Sequence, residues 1–216
     1  MDGYRKGLIL EYLTVGYNIV EAVLSILFGA LAGSVALVGF GLDSIVESLS
    51  GGVLLWRLHQ HKKVTEEQEE RIEFIAVRLV AVTFIILGLY VLFESLVSLG
   101  VPKLLGAPES ISILHREEPD VSLPGIAIAV ASLIVMPVLA YLKKKTGKEI
   151  GSKALVADAK ETLVCAWLSV ALLGGLLLNA LFGWWWADPV AGLFIVAFLF
   201  KEGFEQWGEA GEDDDD

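Results

Sequence analysis

Three long runs without charged side chains constrain what this chain can fold into. They are Ala22–Leu42, Val121–Leu142 and Thr162–Ala187, and each is long enough to cross a bilayer, which takes about 20 helical residues. Hydrophobic residues make up 55% of the 216 residues, before the 22 glycines are counted. The sequence therefore predicts an all-α, multi-pass integral membrane protein, and it excludes a disordered chain and a disulfide scaffold.

The net charge of −11 excludes a nucleic-acid partner, because such a chain would repel phosphates. Much of this charge lies at the C-terminal end, in Glu209, Glu212 and Asp213 to Asp216. We interpret residues 208–216 as a solvated acidic tail, with weak attraction of cations as the alternative. Residues 1–207 are predicted to form one six-helix transmembrane domain.

The spans follow from the lengths of the apolar stretches and from the turn residues between them. Leu8 to Trp56 is too long for one crossing, and Gly29, Gly33 and Ser34 provide a turn near its middle. A second such break falls at Gly183 to Pro189, where three tryptophans are typical of a membrane interface. The predicted helices are 8–29, 34–57, 72–100, 121–142, 153–183 and 187–206.

Lysine and arginine predict the orientation, since these residues favour the cytoplasmic side. Lys103 and Arg116 fall on one side of the predicted bundle. Twelve fall on the other, namely Arg5, Lys6, Arg57, Lys62, Lys63, Arg71, Lys143, Lys144, Lys145, Lys148, Lys153 and Lys201. Both termini are therefore predicted to be cytoplasmic.

An internal repeat points to a functional site. A shift of 118 residues aligns GSVALVGFGLDSIVE (Gly33–Glu47) with GSKALVADAKETLVC (Gly151–Cys165), with six identities in fifteen positions. The copies lie three spans apart, so helices 2 and 5 run in opposite directions. This is the arrangement of inverted repeats in transporters, whose substrate sites lie near the membrane midplane. We therefore expect two inverted three-helix repeats.

The repeat brings two pairs of polar side chains to similar depths. Asp43 and Glu47, and likewise Glu161 and Cys165, are four residues apart and so share one helix face. At about 1.5 Å per residue, Glu47 is expected at the level of Glu161, and Asp43 at that of Cys165. Ionisable groups at this depth are costly and indicate function.

Three converging carboxyl groups repel one another unless a cation or protons lie among them. Four ligands that include one thiol favour zinc, cadmium or cobalt over magnesium and calcium. The site is therefore predicted to bind a divalent metal through Asp43, Glu47, Glu161 and Cys165. The alternative is a structural hydrogen-bond cluster, or carboxyl groups paired with Arg78 or Lys160.

The two repeat segments, together with LGLYVLFESL (Leu87–Leu96) and Trp186-Ala187-Asp188-Pro189, resemble the cation diffusion facilitators. The resemblance covers nearly the whole membrane part. It implies a six-helix, usually dimeric antiporter that exchanges zinc or similar metals for protons, with Asp43, Glu47, Glu161 and Cys165 at the transported-metal positions. Metal entering from the cytoplasm would displace protons from these ligands, and protons entering from outside would displace the metal.

The chain also differs from the usual pattern of that family. The site has no histidine, and Phe40 stands where many members have aspartate, although Asp158 keeps that residue in the second copy. We expect a compact member without the C-terminal cytoplasmic domain. Zinc is the favoured substrate, with cadmium, cobalt, iron or manganese as alternatives. The expected partners are metal ions, protons, the lipid bilayer and a second copy in a homodimer; in a bacterium the location would be the inner or plasma membrane.

Further polar residues have two interpretations each. Asp158 is a candidate proton relay or supporting group, or else it pairs with Lys160. Asn18 and Glu21 form interhelical contacts or line an access path as part of a proton relay. His59 and His61 could bind a regulatory metal in the cytoplasmic loop, although exposed histidines are usually only solvated.

Two other functional classes compete with transport. One is a membrane metal sensor or regulatory subunit without turnover. The other is a membrane enzyme, which the sequence disfavours because its histidines lie in loops far from Cys165, without a nucleophile–base arrangement.

Overall fold

The structure is a computed structural model that describes residues 3–60, 66–101 and 120–212. This part of the chain forms six α-helices, which confirms the predicted all-α fold. They are α1 Gly3–Ala32, α2 Val35–Gln60, α3 Glu66–Ser98, α4 Leu123–Ile150, α5 Lys153–Phe182 and α6 Ala187–Glu212.

Four of the described helices contain a stretch that is long and apolar enough to cross a membrane. These stretches are Gly3–Ala32, Val35–Trp56, Leu123–Ile150 and Ala154–Phe182, and α3 adds the shorter apolar segment Phe84–Ser98. Large apolar side chains point outward along the bundle, including Leu13, Ile134, Trp167 and Phe194. An apolar exterior of this kind suits lipid rather than water as the surrounding medium.

The helices are longer than predicted at several ends: α1 begins at residue 3 rather than 8, α3 begins at residue 66 rather than 72, and two helices end well beyond their predicted last residues. Helix 4 was predicted to end at residue 142, but α4 continues for two further turns to Ile150. Helix 6 was predicted to end at residue 206, but α6 runs to Glu212, so the first part of the predicted acidic tail is helical. In both cases charged residues continue a helix beyond the apolar stretch from which the prediction was made.

Both halves of the internal repeat begin with the same local structure. Gly33 and Gly151 adopt left-handed backbone conformations with φ of 69° and 70°, which glycine reaches without strain. The Ser34 hydroxyl then accepts a hydrogen bond from the Leu37 amide at 3.1 Å, and Ser152 does the same for Leu155 at 3.3 Å. Each serine thereby caps its helix, at positions 118 residues apart.

Helix packing follows the same pairing. The tight turns place α1 against α2 and α4 against α5, and α1 also packs along α4 and α3 along α6. Helix α2 contacts α1, α3, α5 and α6 and lies at the centre of the bundle. Its fully buried Leu37, Phe40 and Val46 join Leu172 of α5 and Ile195 of α6 in the apolar core.

Contacts at both ends show how α1 runs relative to α4. At one end the Asp120 amide donates to the Ala32 carbonyl at 2.8 Å. At the opposite end Lys6 of α1 lies 3.9 Å from Glu149 of α4. Helices α1 and α4 are therefore antiparallel, as the two intervening crossings α2 and α3 require.

The Asp188 carboxylate joins the first turns of α6 and α2. It accepts hydrogen bonds from the Ser34 hydroxyl and from the backbone amides of Val35 at 2.9 Å and Ala36 at 3.4 Å. A carboxylate at a helix N-terminus is stabilised by these unpaired amides and by the helix dipole. Asp188 is fully buried, so water cannot replace it.

We therefore expect Asp188→Ala to lower the free energy of unfolding by about 2–3 kcal/mol, because it leaves buried donors without an acceptor. Chemical unfolding in mixed micelles would measure the change. Asp188→Asn is the matched control, because it keeps the shape and one acceptor oxygen and should cost less. Equal stability of the alanine variant and the wild type would contradict the assigned role.

Candidate functional site

Helix α2 carries the first predicted pair into the middle of the bundle. Asp43 and Glu47 are 4% and 6% exposed and lie one turn apart on the same face. Glu47 and Glu21 are within electrostatic range of Asp43. No well-oriented hydrogen bond reaches the carboxylate oxygens of Glu47 among the described residues, although the Cys165 thiol and the Thr162 hydroxyl lie close to them. A buried carboxyl group without such a bond is costly in an inert core, and it is a group that a cation could bind.

Helix α5 carries the second pair against α2. Cys165 is 2% exposed and lies beside Glu47. Glu161 is less enclosed, and its Oε2 accepts a hydrogen bond of 3.1 Å from the Ser50 hydroxyl of α2. The fold thus brings both predicted pairs to the same helix interface.

The four side chains do not form a closed cage in this conformation. Within the described ranges, no three His, Cys, Asp or Glu side chains are grouped closely enough to hold a metal ion. Glu47 is within electrostatic range of both Glu161 and Cys165. The assignment of Asp43, Glu47, Glu161 and Cys165 as a common ligand set therefore stays a prediction.

Helix α1 presents a buried polar face to α2 and α4. It consists of Glu11, Thr14, Asn18, Glu21 and Ser25, all at most 3% exposed. The Ser44 hydroxyl of α2 donates to Glu21 Oε2 at 2.9 Å. The Asn18 amide and the Ser25 hydroxyl have no hydrogen-bond partner among the described residues. The face joins Glu21 to the Asp43 region, while the relay role of Asn18 and Glu21 stays a prediction.

One buried cation was not predicted from the sequence. Lys143, assigned to the cytoplasmic surface, is 0% exposed inside the bundle. Its ammonium group lies 3.0 Å from Glu11 Oε2, forms an ion pair with Asp158, and donates to the Thr162 hydroxyl at 3.3 Å. The group therefore links α1, α4 and α5.

The partner of Asp158 also differs from the alternative proposed for it. Lys160 is exposed. It follows Asp158 by two residues, and side chains two residues apart on a helix do not face each other. Asp158 instead pairs with Lys143 of α4. Arg78, another suggested partner of the carboxyl groups, places its guanidinium over the Trp207 ring at 5.3 Å.

Sequence reasoning missed a further carboxyl group near the site. Glu202 of α6 lies within electrostatic range of both Asp43 and Glu161. The signal for it was weak, since Glu202 directly follows Lys201 near the end of the last apolar stretch. Charged residues at such a place are normally assigned to the membrane surface.

The predicted cytoplasmic metal site is only partly described. His59 is exposed, with its Nδ1 atom 2.9 Å from the Leu55 carbonyl oxygen and its ring against Tyr12. His61 lies outside the described residues. A regulatory metal site at His59 and His61 therefore stays a prediction.

Alternating helices with an apolar exterior and a charged interior define this chain as a multi-pass integral membrane protein. Residues 12–210 match the cation efflux transmembrane domain, which covers most of the sequence. The chain therefore belongs to the cation efflux family.

Three relatives illustrate the range of this similarity. Transmembrane protein 163 of Xenopus laevis is 21% identical over 202 residues, covering 93% of this chain and 66% of that protein. The manganese efflux system protein MneS of Bacillus subtilis is 24% identical, covering 97% and 68%. A cadmium, cobalt and zinc/H(+)-K(+) antiporter of the same species is 23% identical, covering 93% and 60%. The chain thus spans about two thirds of the length of these relatives.

Proposed function

We propose that this protein transports a divalent metal cation out of the cytoplasm in exchange for protons. The transport site is the α2–α5 interface, with Asp43, Glu47, Glu161 and Cys165 as the ligands. The observation that carries the proposal is the burial of two carboxyl groups and a thiol in the bundle, with the Cys165 thiol beside Glu47. Family membership supports the same function.

The donor set favours zinc, because it combines one thiol with carboxylate oxygens. Cadmium, cobalt, iron and manganese are the alternatives. The names of two Bacillus subtilis relatives include cadmium, cobalt, zinc and manganese. We further propose that the protein works as a homodimer.

Exchange follows from the chemistry of the ligands. Carboxyl and thiol groups must lose their protons to bind a metal, so binding of the metal releases protons and proton binding releases the metal. Without the metal, protons and nearby cationic groups limit the repulsion among the buried carboxyl groups.

Reconstituted vesicles test this function directly. The purified protein is incorporated into vesicles that contain one dye for the metal and one for pH. We expect zinc influx to accelerate when the vesicle lumen is acidic. We also expect protons to leave the lumen as zinc enters. Flux that is independent of the imposed pH gradient would contradict the antiport. Metal binding without any flux would instead support a sensor or regulatory subunit.

A further inference from the structure

The ion cluster of Lys143, Glu11 and Asp158 lies beside the proposed transport site. Its lysine comes from α4, and its two carboxyl groups come from α1 and α5. All three side chains are almost completely enclosed, with exposed side-chain fractions of 0%, 0% and 7%. An ammonium group can only donate hydrogen bonds, and here the acceptors are carboxylate and hydroxyl oxygens.

The cluster is connected to the site through α5. Asp158 and Thr162, which both contact Lys143, are four residues apart on one face of α5. Thr162 is adjacent to Glu161, and Cys165 follows one turn after it. The Lys143 ammonium thereby fixes the rotation of the segment that carries both proposed α5 ligands.

The same ammonium group acts on the α2 side of the site. Lys143 and Asp158 lie within electrostatic range of Glu47, and Thr162, which accepts from Lys143, also lies close to the Glu47 carboxyl group. On the α1 side, Glu11 Oε1 lies against Gly51 of α2, where a Cβ atom would approach it to 2.6 Å. Helices α1, α2, α4 and α5 thus all meet at this cluster.

Stability alone does not account for a charged group at this place. Apolar side chains of similar volume usually stabilise a buried position as well as an ion cluster does, or better. The cluster instead fixes the orientation of Asp158 and Thr162, and it places a positive charge close to the proposed ligands. Metal sites depend on such outer contacts, whose removal weakens binding even when every ligand is kept.

We propose that Lys143 is a positioning residue of the cation site. It fixes the orientation of α5 through Asp158 and Thr162, and it leaves the carboxyl groups of Glu47 and Glu161 available to bind the transported metal. This inference rests on the proposed function, because it assigns a role toward that site. Glu11 and Asp158 are then occupied by the lysine and are not metal ligands. Lys143 supplies a fixed positive charge beside Glu47 whether or not the metal is bound.

The test compares variants that separate the positioning role from folding. The triple variant Lys143→Met, Glu11→Gln, Asp158→Asn removes all three charges of the cluster together, so that no member of the cluster is left charged without its partner. Lys143→Arg keeps the charge, and Lys144→Met is the control on a neighbouring exposed lysine. Zinc affinity is measured by calorimetry on the purified proteins, and folding by thermal unfolding and size-exclusion chromatography.

We expect the triple variant to fold and to bind zinc about tenfold more weakly, as is typical when the outer contacts of a metal ligand are lost. Lys143→Arg should recover most of the affinity, and Lys144→Met should match the wild type. A folded triple variant with wild-type affinity would overturn the positioning role while leaving the proposed function intact. Wild-type protein that binds no divalent metal would overturn both proposals.

A second variant keeps the test decisive if the triple variant does not fold. Thr162→Val removes the hydroxyl that accepts from Lys143 and that also lies close to Glu47, and it keeps every charge and nearly the same volume. We expect a folded protein with reduced zinc affinity, because α5 loses one of its two contacts with the lysine. Unchanged affinity in this variant would overturn the proposal.

Discussion

Lys143→Met is expected to lower the free energy of unfolding by about 3–5 kcal/mol, the usual effect of removing one partner from a buried ion pair. The substitution leaves Glu11 and Asp158 enclosed without their shared cation. The lost attraction cannot be replaced by water, because neither carboxyl group is exposed to more than a small extent. The change would be measured by chemical unfolding in mixed micelles.

Lys144→Met serves as the control for this prediction. Lys144 is the next residue along α4 but is exposed, so its replacement should change the free energy of unfolding by less than about 0.5 kcal/mol. If the two variants were equally stable, Lys143 would not have the buried, paired environment described here.

Asp43→Asn and Glu161→Gln are each expected to reduce zinc flux by about 100-fold or more. Removing a side chain that only supports a metal ligand already weakens a metal site by about 10–100-fold, and the loss of a ligand itself should cost more. Both changes keep the shape of the side chain and remove its negative charge. The same vesicle assay would measure the flux, at equal protein content and with folding checked by size-exclusion chromatography.

Glu149→Gln is the matched control for these two variants. Glu149 is a half-exposed carboxyl group near the end of α4, paired with Lys6. Its neutralisation should leave the flux near the wild-type level. Wild-type flux in the folded Asp43→Asn variant would show that Asp43 is not a ligand of the transported metal.

The helical fold could be predicted from the sequence because membrane spans leave a strong signal. The lengths of the apolar runs predicted six helices, and the turn at Gly33–Ser34 has the expected place. The turn at Gly151–Ser152 was not predicted, but it has the same capping geometry. The repeat predicted two polar pairs at similar depths on helices 2 and 5, and these helices contact each other in the bundle. These features depend on local sequence or on the similarity between the two repeat segments.

The environment of Lys143 could not be predicted in this way. It begins the run Lys143-Lys144-Lys145 directly after an apolar stretch, which is typical of a helix end at the cytoplasmic surface. Its burial depends on how α4 rotates against α1 and α5, which bring Glu11 and Asp158 from distant parts of the chain. Side-chain pairs of this kind are formed by tertiary packing and leave no periodic signal.

The assignment of Asp158 shows the same limit at shorter range. Sequence proximity favoured Lys160, but helix geometry turns that side chain away, and the partner is fifteen residues distant in sequence. The proximity of Glu202 to Asp43 and Glu161 likewise depends on the packing of α6 beside α2 and α5.

The two Gly-Ser turns also bear on how the chain enters the bilayer. They make α1–α2 and α4–α5 two helical hairpins, each joined by only two residues. Lys143 and Asp158 belong to the same hairpin and can pair as soon as it inserts, whereas Glu11 belongs to the other and reaches the ammonium only when the hairpins dock. Since an unpaired carboxyl group in lipid is costly, docking of the two hairpins supplies Glu11 with its cation.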